Sequence, residues 1–174
     1  MKPFQHLLNE VTLANLVQST ENNFSDKTDR SNASNLTHVQ TIEYVPGNDG
    51  ILRVVSHVLS KGNTYEQGME FDGVEFKHEK EGDVVELEIN GDEPLYITPI
   101  QKNRNDVRVT CTCMDFRFRF AYANYQKHAL IGKPMEYNKV PGSNRPPVNP
   151  TNEIGMCKHL ISLSRALAGI GVLK

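Results

Sequence analysis

Asp106-Val-Arg-Val-Thr-Cys-Thr-Cys113 decides how this 174-residue chain is read. Val107, Val109, Cys111 and Cys113 occupy alternate positions, so they share one side of a β-strand. A second pair, Cys157-Lys-His159, follows forty-four residues after Cys113. All three cysteines of the chain fall in these two pairs, which together make a complete Cys3His donor set. Zinc takes four such ligands, as thiolate sulfur and imidazole nitrogen, in closed tetrahedral structural sites. An odd number of cysteines does not suit a disulfide framework. The expected site is one structural Zn2+ per chain on Cys111, Cys113, Cys157 and His159.

Other readings of these residues are open. His128 lies between the two pairs and is an alternative ligand to His159. Three reduced core cysteines beside an unrelated histidine would be the plain alternative to a metal site. A redox Cys111/Cys113 pair leaves Cys157 and His159 without a role. Cys157 and His159, two residues apart on a helix, point to different faces and do not form a nucleophile–base pair. Three sulfurs and an imidazole leave no coordination position for a catalytic water, so no enzymatic activity is expected.

Working outward, Leu160, Ile161, Leu163, Ala166 and Leu167 have helical spacing, with Gly169 as the stop. A helix opening near Cys157 places its thiol by free amides and the positive end of the helix dipole. Between the pairs, Phe116, Phe120 and Ala123 suit one face of a short helix packed on the zinc core. Pro134, Pro141, Pro146, Pro147 and Pro150 then confine the chain to extended or turn structure, with Arg145-Pro-Pro-Val-Asn-Pro150 as a rigid wrap.

Upstream, residues 4–18 predict a helix striped by Leu7, Leu8, Val11, Leu13, Leu16 and Val17. It is either a core element or an arm that docks on a neighbouring subunit. Ser19–Ser34 is polar and predicts a loop or mobile linker. From residue 36 the pattern becomes β, with turns at Pro46-Gly-Asn-Asp-Gly50, Lys61-Gly-Asn63 and Asn90-Gly91, and a hairpin tip expected at Asp72-Gly73. The expected class is α+β: an antiparallel β meander or sandwich with an N-terminal helix and a C-terminal zinc-stapled ββα unit carrying a long insertion. The divisions are 1–35 (helix and linker), 36–105 (β region) and 106–174 (zinc-binding region).

Charge is segregated along the chain. Residues 1–100 hold 7 Lys/Arg against 17 Asp/Glu, and residues 101–174 hold 12 against 4. Such asymmetry fits nucleic-acid contact or head-to-tail packing of unlike surfaces. The acids of residues 66–88 contain no paired-carboxylate motif and are expected on solvated faces and turns. No apolar run long enough for a transmembrane helix occurs, and the N-terminus does not have the pattern of a signal peptide. The three Asn-X-Ser/Thr matches at Asn23, Asn32 and Asn35 therefore mark only a polar loop.

The CxC…CxH ligand pattern resembles the SWIM-type zinc finger, in which the first pair ends a β-hairpin and the second opens a helix. The segment between the pairs is longer here than is usual in that family. The blocks Cys111-Thr-Cys-Met-Asp-Phe-Arg-Phe-Arg-Phe-Ala121, Arg145-Pro-Pro-Val-Asn-Pro150 and Met156-Cys-Lys-His-Leu160 also resemble small virion proteins of large tailed phages. That resemblance implies a non-enzymatic structural or assembly protein of the particle, assembled in the host cytoplasm. Its partners would be other virion proteins and copies of itself, with neither a membrane nor a small-molecule substrate. Arg108, Arg117, Arg119, Lys127 and Arg145 are the candidate contact residues. The SWIM resemblance implies the alternative, an accessory protein that binds nucleic acid through the basic, aromatic segment 104–127, Arg104 included.

Overall fold

A computed structural model describes residues 11–24, 37–89, 91, 93–134 and 147–174. Helix α1 spans Leu13–Asn23, followed by strands β1 (Thr37–Pro46), β2 (Leu52–Ser60) and β3 (Asn63–Phe71). Three short strands come next: β4 (Phe76–Lys77), β5 (Val85–Leu87) and β6 (Leu95–Ile97). Strand β7 (Val107–Cys111) leads into a π-helical turn (Phe116–Phe120), helix α2 (Ala121–Gln126) and, last, helix α3 (Lys158–Gly169). The class is α+β, as the sequence predicts.

The large sheet has the order β1-β2-β3-β7, antiparallel throughout. Its first three strands are the expected meander, and β7 returns from far along the chain to close it. Register explains why this sheet carries the site. Leu52, Phe71 and Val107 form one cross-strand row, Val54, Met69 and Val109 the next, and Ser56, Gln67 and Cys111 the third. Side chains alternate between sheet faces, so Cys111 continues the row pattern of the core. Leu160, Leu163 and Leu167 of α3 belong to the same buried cluster as these rows, with Leu13 and Leu16 of α1. On the opposite face, Glu70 is flanked across the strands by Arg53 and Arg108 and forms ion pairs with both.

The outer edge of β7 is covered by two other segments. Val107 N donates to Val11 O (2.8 Å), Val109 N to Ala129 O (2.9 Å), and Ile131 N to Val109 O (3.1 Å). An edge strand paired in this way does not template pairing with another chain.

Three expectations need correction. Among the described residues, the helix expected over 4–18 begins at Leu13, after non-helical Val11 and Thr12. Thr12 is its N-cap, with Asn15 N donating to Thr12 Oγ1 (3.3 Å) and Thr12 N to Asn15 Oδ1 (3.0 Å). Residues 4–10 lie outside the described residues. The helix also runs on through Ser19–Asn23, where a polar linker was expected, because Ser19 and Thr20 have partners in the core segment preceding α3. Residues 25–34 of that linker lie outside the described residues. Finally, Asp72-Gly73 is not a hairpin tip. There the chain leaves the large sheet for a second, three-stranded sheet of order β4-β6-β5. Asn105 fixes this exit by donating from Nδ2 to Asp72 O (2.8 Å), and Gly73 meets its positive φ of 70° without a Cβ clash.

Leu13 and Leu16 are buried, so α1 is a core element of its own chain and not a detachable arm. Leu16→Ala is expected to lower unfolding free energy by about 2–5 kcal/mol in urea titration. A loss below about 0.5 kcal/mol would return the helix to the role of an arm.

Candidate metal centre

Cys111 is the last residue of β7, and Cys157 is the N-cap of α3. Beyond β7 the Cys-Thr-Cys turn keeps the strand register for one more residue. Thr112 N donates to Glu66 O (2.9 Å) and Glu66 N to Thr112 Oγ1 (3.1 Å). Cys111 and Cys113 therefore stay on the core side while Thr112 faces out. The antiparallel partner of β7 is β3, not the strand just before it in the chain, so the local hairpin implied by the resemblance is replaced by a non-local pairing.

Cys111, Cys113, Cys157 and His159 are all buried, and their ligand atoms lie within 4.8 Å of one another. Cys111 Sγ is 3.8 Å from His159 Nδ1. A tetrahedral zinc or similar ion would set that edge at about 3.6 Å. The cluster can hold one metal ion with little movement. His128 does not join it: the residue is exposed, with φ 59°, in the turn that follows α2.

The protonation chemistry makes a cation fit this donor set. The hydrogen bond from Cys111 holds the Cys113 thiol far below its usual range, with a further one from Cys157. Donating to Cys113 pushes Cys111 far up, and burial, with the neighbouring sulfurs, pushes Cys157 up. Without a cation, burial and the repulsion of negative charges in contact oppose the ionisation of all three sulfurs. A divalent ion removes that repulsion and lets all three sulfurs ionise. Phe116 N also donates to Cys113 Sγ (3.4 Å), adding a backbone dipole to the charge there. His159 stacks on Tyr65 (centroids 4.4 Å, planes 23° apart), and its Nε2 is buried without a hydrogen-bond partner among the described residues. A ligating histidine usually donates its second nitrogen to a carboxylate, carbonyl or water; here an aromatic face holds the ring.

Four polar side chains that belong to no ligand motif in the sequence hold the segment of chain entering Cys157. Thr20 Oγ1 of α1 accepts from Met156 N (2.9 Å), and Ser19 Oγ donates to Ile154 O (2.7 Å). Asn124, fully buried in α2, exchanges two 3.0 Å hydrogen bonds with the backbone of Gly155. Asn149 donates to Arg119 O and to Glu153 O, both at 2.8 Å. A Cβ on Gly155 would lie 2.5 Å from Phe120 and 2.8 Å from Thr20 Oγ1, so only glycine lets these elements converge. One signal was present in the sequence. Asn124 follows Phe116 and Phe120 at four-residue steps, an amide on the inward face of an otherwise apolar stripe. Phe116, Phe120 and Ala123 are buried together, as their spacing predicts.

The basic candidates do not form one patch with the metal cluster. Arg108 pairs with Glu70 on the outer face of the large sheet. Arg119 pairs with Asp115 (2.9 Å) and lies 5.6 Å from the Phe24 ring, which itself meets Phe120 edge-on. Arg104, Arg117 and Lys127 are exposed, and Arg145 lies outside the described residues.

Comparison of the chain with protein-family models, with curated proteins and with solved structures found no match.

Two outcomes follow from this chemistry. Cys157→Ser is expected to abolish metal uptake and to open residues 111–168 to limited proteolysis; unchanged protease resistance would overturn a structural role for the cluster. Because protons compete for the sulfurs, occupancy should fall as pH is lowered from about 8 to about 5. Cobalt substitution would report this through loss of its thiolate charge-transfer band. Occupancy independent of pH over that range would show that the thiolates are not the ligands.

Proposed function

We propose that this protein is a non-enzymatic, zinc-stabilised structural or assembly protein of a tailed-phage virion, located in the particle and contacting neighbouring subunits. The observation that carries the reading is the closed donor set: four buried protein ligands, two from the end of a strand and two from the start of a helix. With all four bound to zinc, the tetrahedron is complete and no position remains for a substrate or a catalytic water. Zinc bound there supplies folding energy, of order 10–16 kcal/mol in small structural sites. It would tie the sheet to α3 across an insertion of more than forty residues. The phage-like blocks at residues 111–121, 145–150 and 156–160 support the same assignment.

A second reading is a nucleic-acid-binding accessory protein. It is favoured by the exposure of Phe118, Tyr122 and Tyr125 near Arg117 and Lys127, since rings beside cations can stack bases and track phosphates. The engagement of Arg108 by Glu70 and of Arg119 by Asp115 weighs against it.

Native mass spectrometry with and without a strong chelator separates these readings. One zinc per chain, with chelation causing unfolding and no nucleic acid retained, is the expected result. A zinc-bearing monomer carrying nucleic acid would favour the second reading, and a chain that folds without metal would overturn both.

A further inference from the structure

Met114, Phe118, Tyr122 and Tyr125 follow one another at steps of four, four and three along the π-turn and α2. That spacing puts them on one helical face. All are large, and their exposures are 61%, 42%, 59% and 46%. The reverse face, with Phe116, Phe120, Ala123 and Asn124, is buried. Scattered exposed apolar residues need no explanation, but a contiguous stripe on one element marks an interaction surface. Arg117 and Lys127 are exposed on the same segment, so the surface is aromatic and basic.

The opposite chemistry sits at the other end of the molecule. Residues 72–97, which include the three-stranded sheet, contain nine Asp/Glu against two Lys. Asp72, Glu75, Glu79, Glu81, Glu86 and Glu88 are exposed there. Tyr96 and Val85 are half-buried, offering an apolar centre within the acidic field. Two elements measure the separation. Strand β7 begins at Val107, opposite Phe71 at the acidic end, and finishes at Cys111. Helix α3, about 18 Å long, starts at Cys157 and ends beside the acidic sheet. There Leu173 bridges Ile100, and Lys174 pairs with Asp83. The aromatic face, on the helix whose Asn124 is bonded to Gly155 beside the metal end, and the acidic sheet, beyond the other end of β7 and α3, are therefore separate surfaces of one copy.

We propose that the protein associates head-to-tail with copies of itself, the aromatic and basic face of α2 in one copy seating on the acidic three-stranded sheet of the next. The occupant is a second copy because each pole supplies the charge that the other needs. Unlike surfaces in contact make a heterologous interface, which forms a ring if the rotation closes and a filament if it does not. This rests on the assembly role proposed above and names the partner for it. The residues that carry it are Met114, Tyr122 and Tyr125 at one pole, with Glu86 and Glu88 at the other.

The test uses the zinc-loaded full chain in sedimentation velocity and native mass spectrometry. The wild type should form species larger than a dimer, weakened about tenfold or more between ~0.1 M and ~1 M salt, where the Debye length falls from about 10 to about 3 Å. Tyr122→Glu/Tyr125→Glu and Glu86→Lys/Glu88→Lys should each be monomeric. Mixed together they should form a 1:1 heterodimer that grows no further, since one intact head meets one intact tail. Near-UV circular dichroism and metal content, unchanged in both variants, serve as the folding control. A wild-type monomer at every concentration would overturn the proposal, as would a dimer unaffected by the Glu86/Glu88 change. Association only when a single-stranded oligonucleotide is added would overturn it too. Metal content read in the same spectra separates the two claims. A monomer with one zinc per chain loses the self-association only, whereas a folded chain without zinc loses the assembly reading itself.

Discussion

Three thiols and an imidazole, buried within contact of one another, set the terms for the rest of this structure. Without a cation, burial and mutual repulsion oppose the ionisation of all three sulfurs together. Such a cluster contributes little attraction of its own. With a divalent ion the same four groups become a cross-link between the end of a central strand and the start of a helix. The registers of β3 and β7, the direction of α3 and the path of the insertion all have to deliver donors to that one point.

The delivery from the strand side comes from sheet geometry. Cys111 lies in the row begun by Ser56 and Gln67, directly beyond two rows of Leu, Val, Met and Phe side chains. A slip of one residue would turn both cysteines to solvent. Delivery from the helix side depends on polar bonds to an otherwise irregular segment. Among the described residues, no strand pairs with residues 154–156 to satisfy their backbone. Ser19, Thr20 and Asn124 do so instead, from two different helices. A buried amide or carbonyl left without a partner would cost about 1–3 kcal/mol. These side chains thus hold Cys157 in place as directly as the apolar contacts of α3.

The same framework gives the molecule its polarity. Strand β7 and helix α3 both run between the metal end and the acidic sheet. The segregation of charge along the sequence thereby becomes a separation in space. Glu70, with Arg53 and Arg108, shows that not every charge belongs to a pole: this trio is an internal ladder across three strands.

The four clustered residues were legible in the sequence because metal ligands come in fixed types at short spacings, and because alternation puts Cys111 and Cys113 on one strand face. The helix after Cys157, the inward face of Phe116 and Phe120, and the α+β class were legible from periodicity for the same local reason. An apolar stripe does not mark where α1 starts, whereas the Thr12–Asn15 capping pair does. Its continuation to Asn23 was not readable at all. Ser19 and Thr20 look like linker residues until Ile154 and Met156, more than 130 residues away, supply their partners. Asp72-Gly73 has the chemistry of a hairpin turn, but the pairing of β3 with β7 across that gap makes it an exit from the sheet. Local spacing by itself determined which side chains could meet a metal. Only the tertiary structure decided which distant backbone each polar side chain would satisfy, because a hydrogen bond between remote segments leaves no periodic trace in either one.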